Sequence, residues 1–168
     1  ASGTDNLSHQ ITVGDITIGA EAQKGAGTST SWGLKYTGID SLTLGVGTSD
    51  ISPGAADGGS DSNTVGAKYV IGGITLGYQW TEVDKNATDE DAIHYGASFA
   101  VNDDLTISYG RQTVEMQGKA EDEVNSGFSA SYTMGSMSLV GYVNKTENVA
   151  GATASTDEGK GLTLSISF

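Results

Sequence analysis

Cysteine is absent from this chain, which excludes a disulfide framework, a thiolate metal site and a cysteine nucleophile. Basic residues are few: eight Lys and Arg stand against twenty-one Asp and Glu, for a net charge of −13. So acidic a surface does not seek nucleic acid, whose phosphates demand cations, and suits divalent cations better. Long hydrophobic runs are missing too. No stretch approaches the roughly 18 apolar residues that a membrane helix requires. That absence leaves a second way across a bilayer, in which only every other residue faces lipid. No secretory leader is apparent, so the chain is expected to be mature or truncated. Proline occurs once, whereas glycine occurs 25 times in 168 residues, with Ser and Thr abundant and only 36% hydrophobic residues.

What is present is alternation. The terminal "GLTLSISF" sets Leu162, Leu164, Ile166 and Phe168 against Gly161, Thr163, Ser165 and Ser167. The same period of two runs through "HQITV", "DITIGAEAQ", "TSWGLKYT", "SLTLGVGT", "TVGAKYVI" and "GITLGYQW". It continues in "AIHYGASFAV", "LTISYG" and "GFSASYTM". Two-residue periodicity means strand, and no window offers a competing helical period. About eleven strands are expected.

The connections alternate as well. Short ones fall at 14–15, 38–40, 72–73, 102–104 and 135–136, and a leading Gly in a two-residue loop suits a type II′ hairpin. Apolar pairs bracket them: Val13/Ile16, Ile71/Ile74, Val101/Leu105, Met134/Met137 and, one step further out, Tyr36/Leu42. Each short turn therefore keeps one apolar face in register. The other connections, near 24–29, 49–63, 82–91, 113–126 and 145–159, are polar and carry fifteen of the twenty-one acidic residues. Tight turns at one end and long charged loops at the other describe an outer-membrane barrel.

The two faces differ in chemistry. The apolar face has Leu, Ile and Val in mid-strand and aromatics towards the strand ends, as a girdle at the headgroup level would. Its expected members are Trp32, Tyr36, Tyr69, Tyr78, Trp80, Tyr95, Phe99, Tyr109 and Tyr132. The other face is Gly, Ser, Thr, Gln and Lys, too small and polar for the inside of a β-sandwich. It is best explained as wet. On it fall Lys35, Lys68, Gln79, His94, Gln112 and Glu21, with Gln10, the expected pore-lining residues; Arg111, near a loop end, suits a rim.

The stretches "VNDDLTISYGR" (101–111) and "HYGASFAV" (94–101), the Gly-rich strands and the final "LTLSISF" carry a resemblance. The chain resembles the C-terminal part of a general diffusion porin of the alphaproteobacterial, sixteen-stranded, trimeric type. The resemblance implies a transmembrane antiparallel up-and-down β-barrel in the bacterial outer membrane, transporting ions and small hydrophilic solutes by passive diffusion. It also implies a homotrimer surrounded by outer-membrane lipid and lipopolysaccharide, and a role for Phe168 in the signal read by the assembly machinery. Residues 1–168 would then be a single β-barrel domain lacking about five N-terminal strands, with 1–8 trailing from the constriction loop. Calcium is the one cofactor raised, through the hard oxygen ligands Asp84, Asp89, Glu90 and Asp91. An acidic loop simply bathed in water accounts for the same residues.

Two rival readings use the same features. A smaller, complete outer-membrane barrel would act as an adhesin or receptor through its long acidic loops. A secreted soluble acidic β-protein would bind calcium. No enzyme is expected, because His9 and His94 have no metal-ligand spacing and no G-x-S-x-G elbow occurs.

Overall fold

A computed structural model describes residues 5–24, 28–52, 59–85 and 88–167. Eleven strands make up nearly all of it: β1 (Asp5–Val13), β2 (Ile16–Lys24), β3 (Ser29–Ile39), β4 (Leu42–Ile51), β5 (Ser60–Ile71), β6 (Ile74–Lys85), β7 (Glu90–Ala100), β8 (Leu105–Met116), β9 (Glu123–Met134), β10 (Met137–Glu147) and β11 (Thr156–Ile166). A single 3₁₀ turn, Val149–Gly151, interrupts the β10–β11 connection. Each strand is hydrogen-bonded to the next in chain order, β1 through β11, as an up-and-down meander requires. No helix among the described residues is long and apolar enough to cross a membrane, which says nothing about crossing by strands.

The chain divides into two compact units, Ala1–Lys68 with Gln79–Ala92 and Tyr69–Tyr78 with Ile93–Phe168. In the first, β1 to β4 pair antiparallel, and Val13 faces Ile16 across the β1–β2 turn as predicted. Ile11, Ile18, Leu34 and Val46 form one cross-strand row, and Val13, Ile16, Tyr36 and Leu44 the row nearest the turns. Interleaved with these, Gly19, Gly33 and Gly47 share a row on the opposite face, as do Thr17, Lys35 and Gly45. In the second unit, β8 to β11 repeat the arrangement. Leu105, Tyr132, Leu139 and Leu164 line up on one face, and Thr106, Ser131, Val140 and Thr163 on the other.

The short turns explain why the register is so well kept. Gly14, Gly72 and Gly135 have φ near +57°, +55° and +59°, and the residue after each stays at negative φ. Positive φ at the first turn position alone is the type II′ requirement, which Gly meets without steric cost. At 102–104 the chain turns differently. The Asn102 carboxamide oxygen accepts from the backbone N–H groups of Asp104 (2.9 Å) and Leu105 (2.8 Å), an Asx turn.

One turn departs from the expected pairing. Tyr36 lies opposite Leu44, not Leu42, and Leu42 pairs with Ile39, because one extra residue enters β3 between Tyr36 and Ile39. The turn itself is Asp40–Ser41, with Ser41 at φ +64°. The bulge folds the Tyr36 ring back over Gly38, where a Cβ would sit 2.5 Å from the phenol oxygen. Glycine at 38 makes that close approach feasible.

The strands also run further into the acidic stretches than the hydrophobic pattern reaches. β6 extends to Lys85, β8 to Met116 and β10 to Glu147. In β6 and β10 the added residues have no apolar period to read, and in β8 Val114 and Met116 fall on the alternation opposite to Ile107 and Tyr109, yet the strands continue.

Among the described residues no hydrophobic side chain is buried. Ile11 is 54% exposed, Ile18 50% and Trp32 53%, and the apolar rows of both units are open in the same way. A water-soluble domain of this length would bury such residues in a core and would not leave a contiguous apolar face bare.

Candidate functional site: the two faces of the sheet

On the apolar face of the second unit the composition changes over two residues. Tyr109, Phe128 and Val143 close the last apolar row, although Lys160 joins it from β11. The next row is Arg111, Ser126, Lys145 and Glu158. Lys145 pairs with Glu147 at 2.8 Å, just beyond. From Met134 to Phe128 is six residues, about 20 Å of strand, and this sets the height of the apolar zone. Trp32 in the first unit stands opposite Ala20 and Thr48, one row below Thr30 and Asp50. Tyr36 and Tyr132 lie nearer the short turns. Every expected girdle residue falls on the apolar alternation of its strand, and so does Phe128, which was not among the expected girdle residues. His9 faces the same way, opposite Ala20.

The polar face is built from hydrogen-bonded pairs between neighbouring strands. In the first unit the Thr12 and Thr17 hydroxyls meet at 3.1 Å, and Asn6 donates its amide to the Glu21 carboxylate at 2.6 Å. The Thr64 hydroxyl donates to the Trp80 carbonyl (3.0 Å) and lies 2.9 Å from the Thr81 hydroxyl, which the Gln79 amide also reaches at 3.1 Å. Lys35 sits between Thr17 and Gly45 and is exposed, as is Lys68. In the second unit His94 is half-buried and Gln112 lies opposite Asn125. Asn125 accepts from the Thr146 hydroxyl at 2.6 Å and donates to Glu123 at 2.9 Å. Glu123 in turn accepts the backbone N–H of Ala150 at 2.7 Å, which ties the β10–β11 connection to the sheet.

One aromatic residue of this face was not expected there. Tyr142 pairs with Ser129 and Gly161 and therefore stands on the polar side, beside Val140 and Asn144. The strand that carries it, "SLVGYVN", has weak alternation, and only the register reveals its orientation.

Among the described residues no three acidic or histidine side chains form a group able to hold a metal ion. Glu90 is engaged by Lys85 at 2.8 Å, and Asp89 accepts the backbone N–H of Lys85 at 3.2 Å. Asp84 and Asp91 lie on the opposite alternation from that ion pair. Phe168 lies outside the described residues.

With both faces placed, the protein class follows from its relatives. The family described as Gram-negative porin matches residues 5–151, and the chain belongs to it. Its place is the bacterial outer membrane. The fold resembles a porin refined at 1.8 Å (14% identity, TM-score 0.82, covering 97% of this chain and 61% of the other). It also resembles an anion-selective porin from Comamonas acidovorans (12%, TM-score 0.80, 98% and 59%). A third likeness is to OmpF of Salmonella typhi in complex with daunomycin (14%, TM-score 0.72, 95% and 61%). At such identities these likenesses carry the fold alone. The chain spans about three fifths of each of these three porins. No curated protein sequence matches it.

Proposed function

We propose that this chain forms part of the wall of a water-filled outer-membrane channel through which small hydrophilic solutes and ions diffuse passively. The observation that carries this reading is the pair of faces: open apolar rows with no buried core among the described residues, set back to back with a hydrogen-bonded surface of Gly, Ser, Thr and amides. An apolar face of this extent is stable only against hydrocarbon, and in hydrocarbon a sheet must close to pair its edge strands. The polar face then borders the lumen. Lys35 and Lys68, with Glu21, Gln79, His94 and Gln112, line it, and their charges set the field that a permeating solute meets.

The finer assignment is a sixteen-stranded barrel of the alphaproteobacterial type, assembled as a homotrimer in lipid and lipopolysaccharide. The coverage of about three fifths of several porin chains supports the strand number, since eleven strands are about two thirds of sixteen.

The reading is tested by extracting the protein and reconstituting it in planar bilayers. A requirement for detergent together with stepwise ion conductance is the expected outcome. A monodisperse monomer without detergent refutes the membrane reading, and insertion without conductance favours an adhesin.

A further inference from the structure

Of the eleven aromatic side chains among the described residues, ten follow the apolar alternation and one does not. Tyr142 stands on the polar face and is 46% exposed. It gains nothing from the membrane there. Its ring is held flat by the neighbouring strand: a Cβ at Gly161 would lie 2.5 Å from ring carbons Cε1 and Cζ and 2.6 Å from the phenol oxygen. Glycine at 161 therefore provides the shallow seat in which one side of the ring rests. The next residue on the same face is Asn144, whose carboxamide lies over Gly159 in the same manner. On the β9 side, Ser129 stands opposite Tyr142 and Gly127 opposite Asn144. A seated ring and a carboxamide thus rise side by side from a floor that is mostly bare backbone.

We infer that Tyr142, seated on Gly161 and flanked by Asn144 and Ser129, is a weak stacking site for pyranose sugars on the channel wall. The chemistry is complementary in two parts. The free side of the ring offers a π surface to the apolar C–H face of a pyranose, and such contacts depend on flat geometry. The amide and hydroxyl beside it match the equatorial hydroxyls at the rim of the sugar, where unpaired polar groups would otherwise lose water without compensation. An acyclic polyol has the same hydroxyls and no flat C–H face, so the site separates the two. The inference rests on the reading that the polar face borders water.

The test uses the full chain in lauryldimethylamine-oxide micelles, which contain no sugar. Saturation-transfer NMR compares D-glucose with D-sorbitol at equal concentration, and the same preparation is assayed for ion conductance in planar bilayers. A markedly stronger glucose signal is expected, retained in Tyr142→Phe and reduced about fivefold in Tyr142→Leu, the order of loss for one aromatic contact. Equal signals from glucose and sorbitol in the unaltered protein overturn the inference without any variant, which covers the case in which Tyr142→Leu fails to fold. An undiminished glucose signal in folded Tyr142→Leu overturns it too and leaves the ring as a cover for the Gly161 backbone. Conductance without a glucose signal refutes the sugar site alone; a glucose signal without conductance refutes the channel and keeps the site.

Discussion

Replacing Ile18 by lysine separates a lipid-facing sheet from a water-facing one. Ile18 lies in the row Ile11–Ile18–Leu34–Val46, has no charged partner in that row, and is 50% exposed. In water a lysine at so open a site costs almost nothing, and such surface changes stay within about 0.5 kcal/mol. In a hydrocarbon belt a lysine near the midplane of a barrel costs roughly 2–4 kcal/mol. At 1.36 kcal/mol per decade, that lowers the folding equilibrium roughly 30- to 900-fold. The matched control is Ser31→Lys, on the polar face between Glu21 and Ser49, where the new ammonium meets water and a carboxylate and should be close to neutral. Urea titration in phosphatidylcholine vesicles, read by tryptophan fluorescence, measures both; Trp32 stands opposite Ala20, one row from Ile18. If the two variants unfold at the same urea concentration as the unaltered protein, the apolar face does not contact acyl chains and the channel interpretation fails with it.

Three further outcomes follow from local geometry. Gly14→Ala should cost about 1 kcal/mol through backbone conformation alone, since φ is +57° and no atom lies within 4 Å of the added methyl. Gly77→Ala, with the same open space and ordinary φ, should shift the urea midpoint much less. Glu123→Ala removes the acceptor for the Ala150 N–H and should speed proteolytic cleavage within 148–155 while leaving the unfolding midpoint of the sheet almost unchanged; unaltered cleavage would show that the carboxylate does not anchor this connection. Lys35→Glu reverses a charge on the polar face between Thr17 and Gly45, and the reversal potential across a salt gradient should move towards the cation limit by several millivolts. No shift would place Lys35 outside the conducting path.

The sequence was most informative where one face is forced to be apolar. Val13/Ile16, Ile71/Ile74 and Met134/Met137 bracket turns that exist as expected, because hydrocarbon on one side and a glycine with φ near +57° together leave a single register. It was least informative where that constraint lapses. The β3–β4 bulge was invisible, since Tyr36 can face either Leu42 or Leu44 without changing sides. The length of β6 beyond Trp80 was equally hidden, since Thr81, Glu82, Val83, Asp84 and Lys85 have no apolar period to read. The polar wall follows the same rule. A strand of Gly, Ser and Thr marks a polar face without ordering its residues, and Tyr142 became recognisable as a residue of that face only once Ser129 and Gly161 were fixed opposite it.

On the second unit two neighbouring rows bracket the boundary of the apolar zone. Tyr109, Phe128 and Val143 form a row that water would penalise, and two residues on, Arg111, Lys145 and Glu158 form one that hydrocarbon would penalise more. The headgroup plane has little freedom between them. Lys160 is the apparent violation, being level with Phe128, but its four-carbon stem can lie along apolar surface while the ammonium reaches the charged row. Beyond this plane β9 and β10 still pair, through Asn125 with Thr146 and Val124 with Glu147. Backbone pairing there is held by hydrogen bonds, without apolar burial. The sheet therefore projects past the bilayer because its ladder continues, whereas its position in the bilayer is set by where the side chains stop tolerating water.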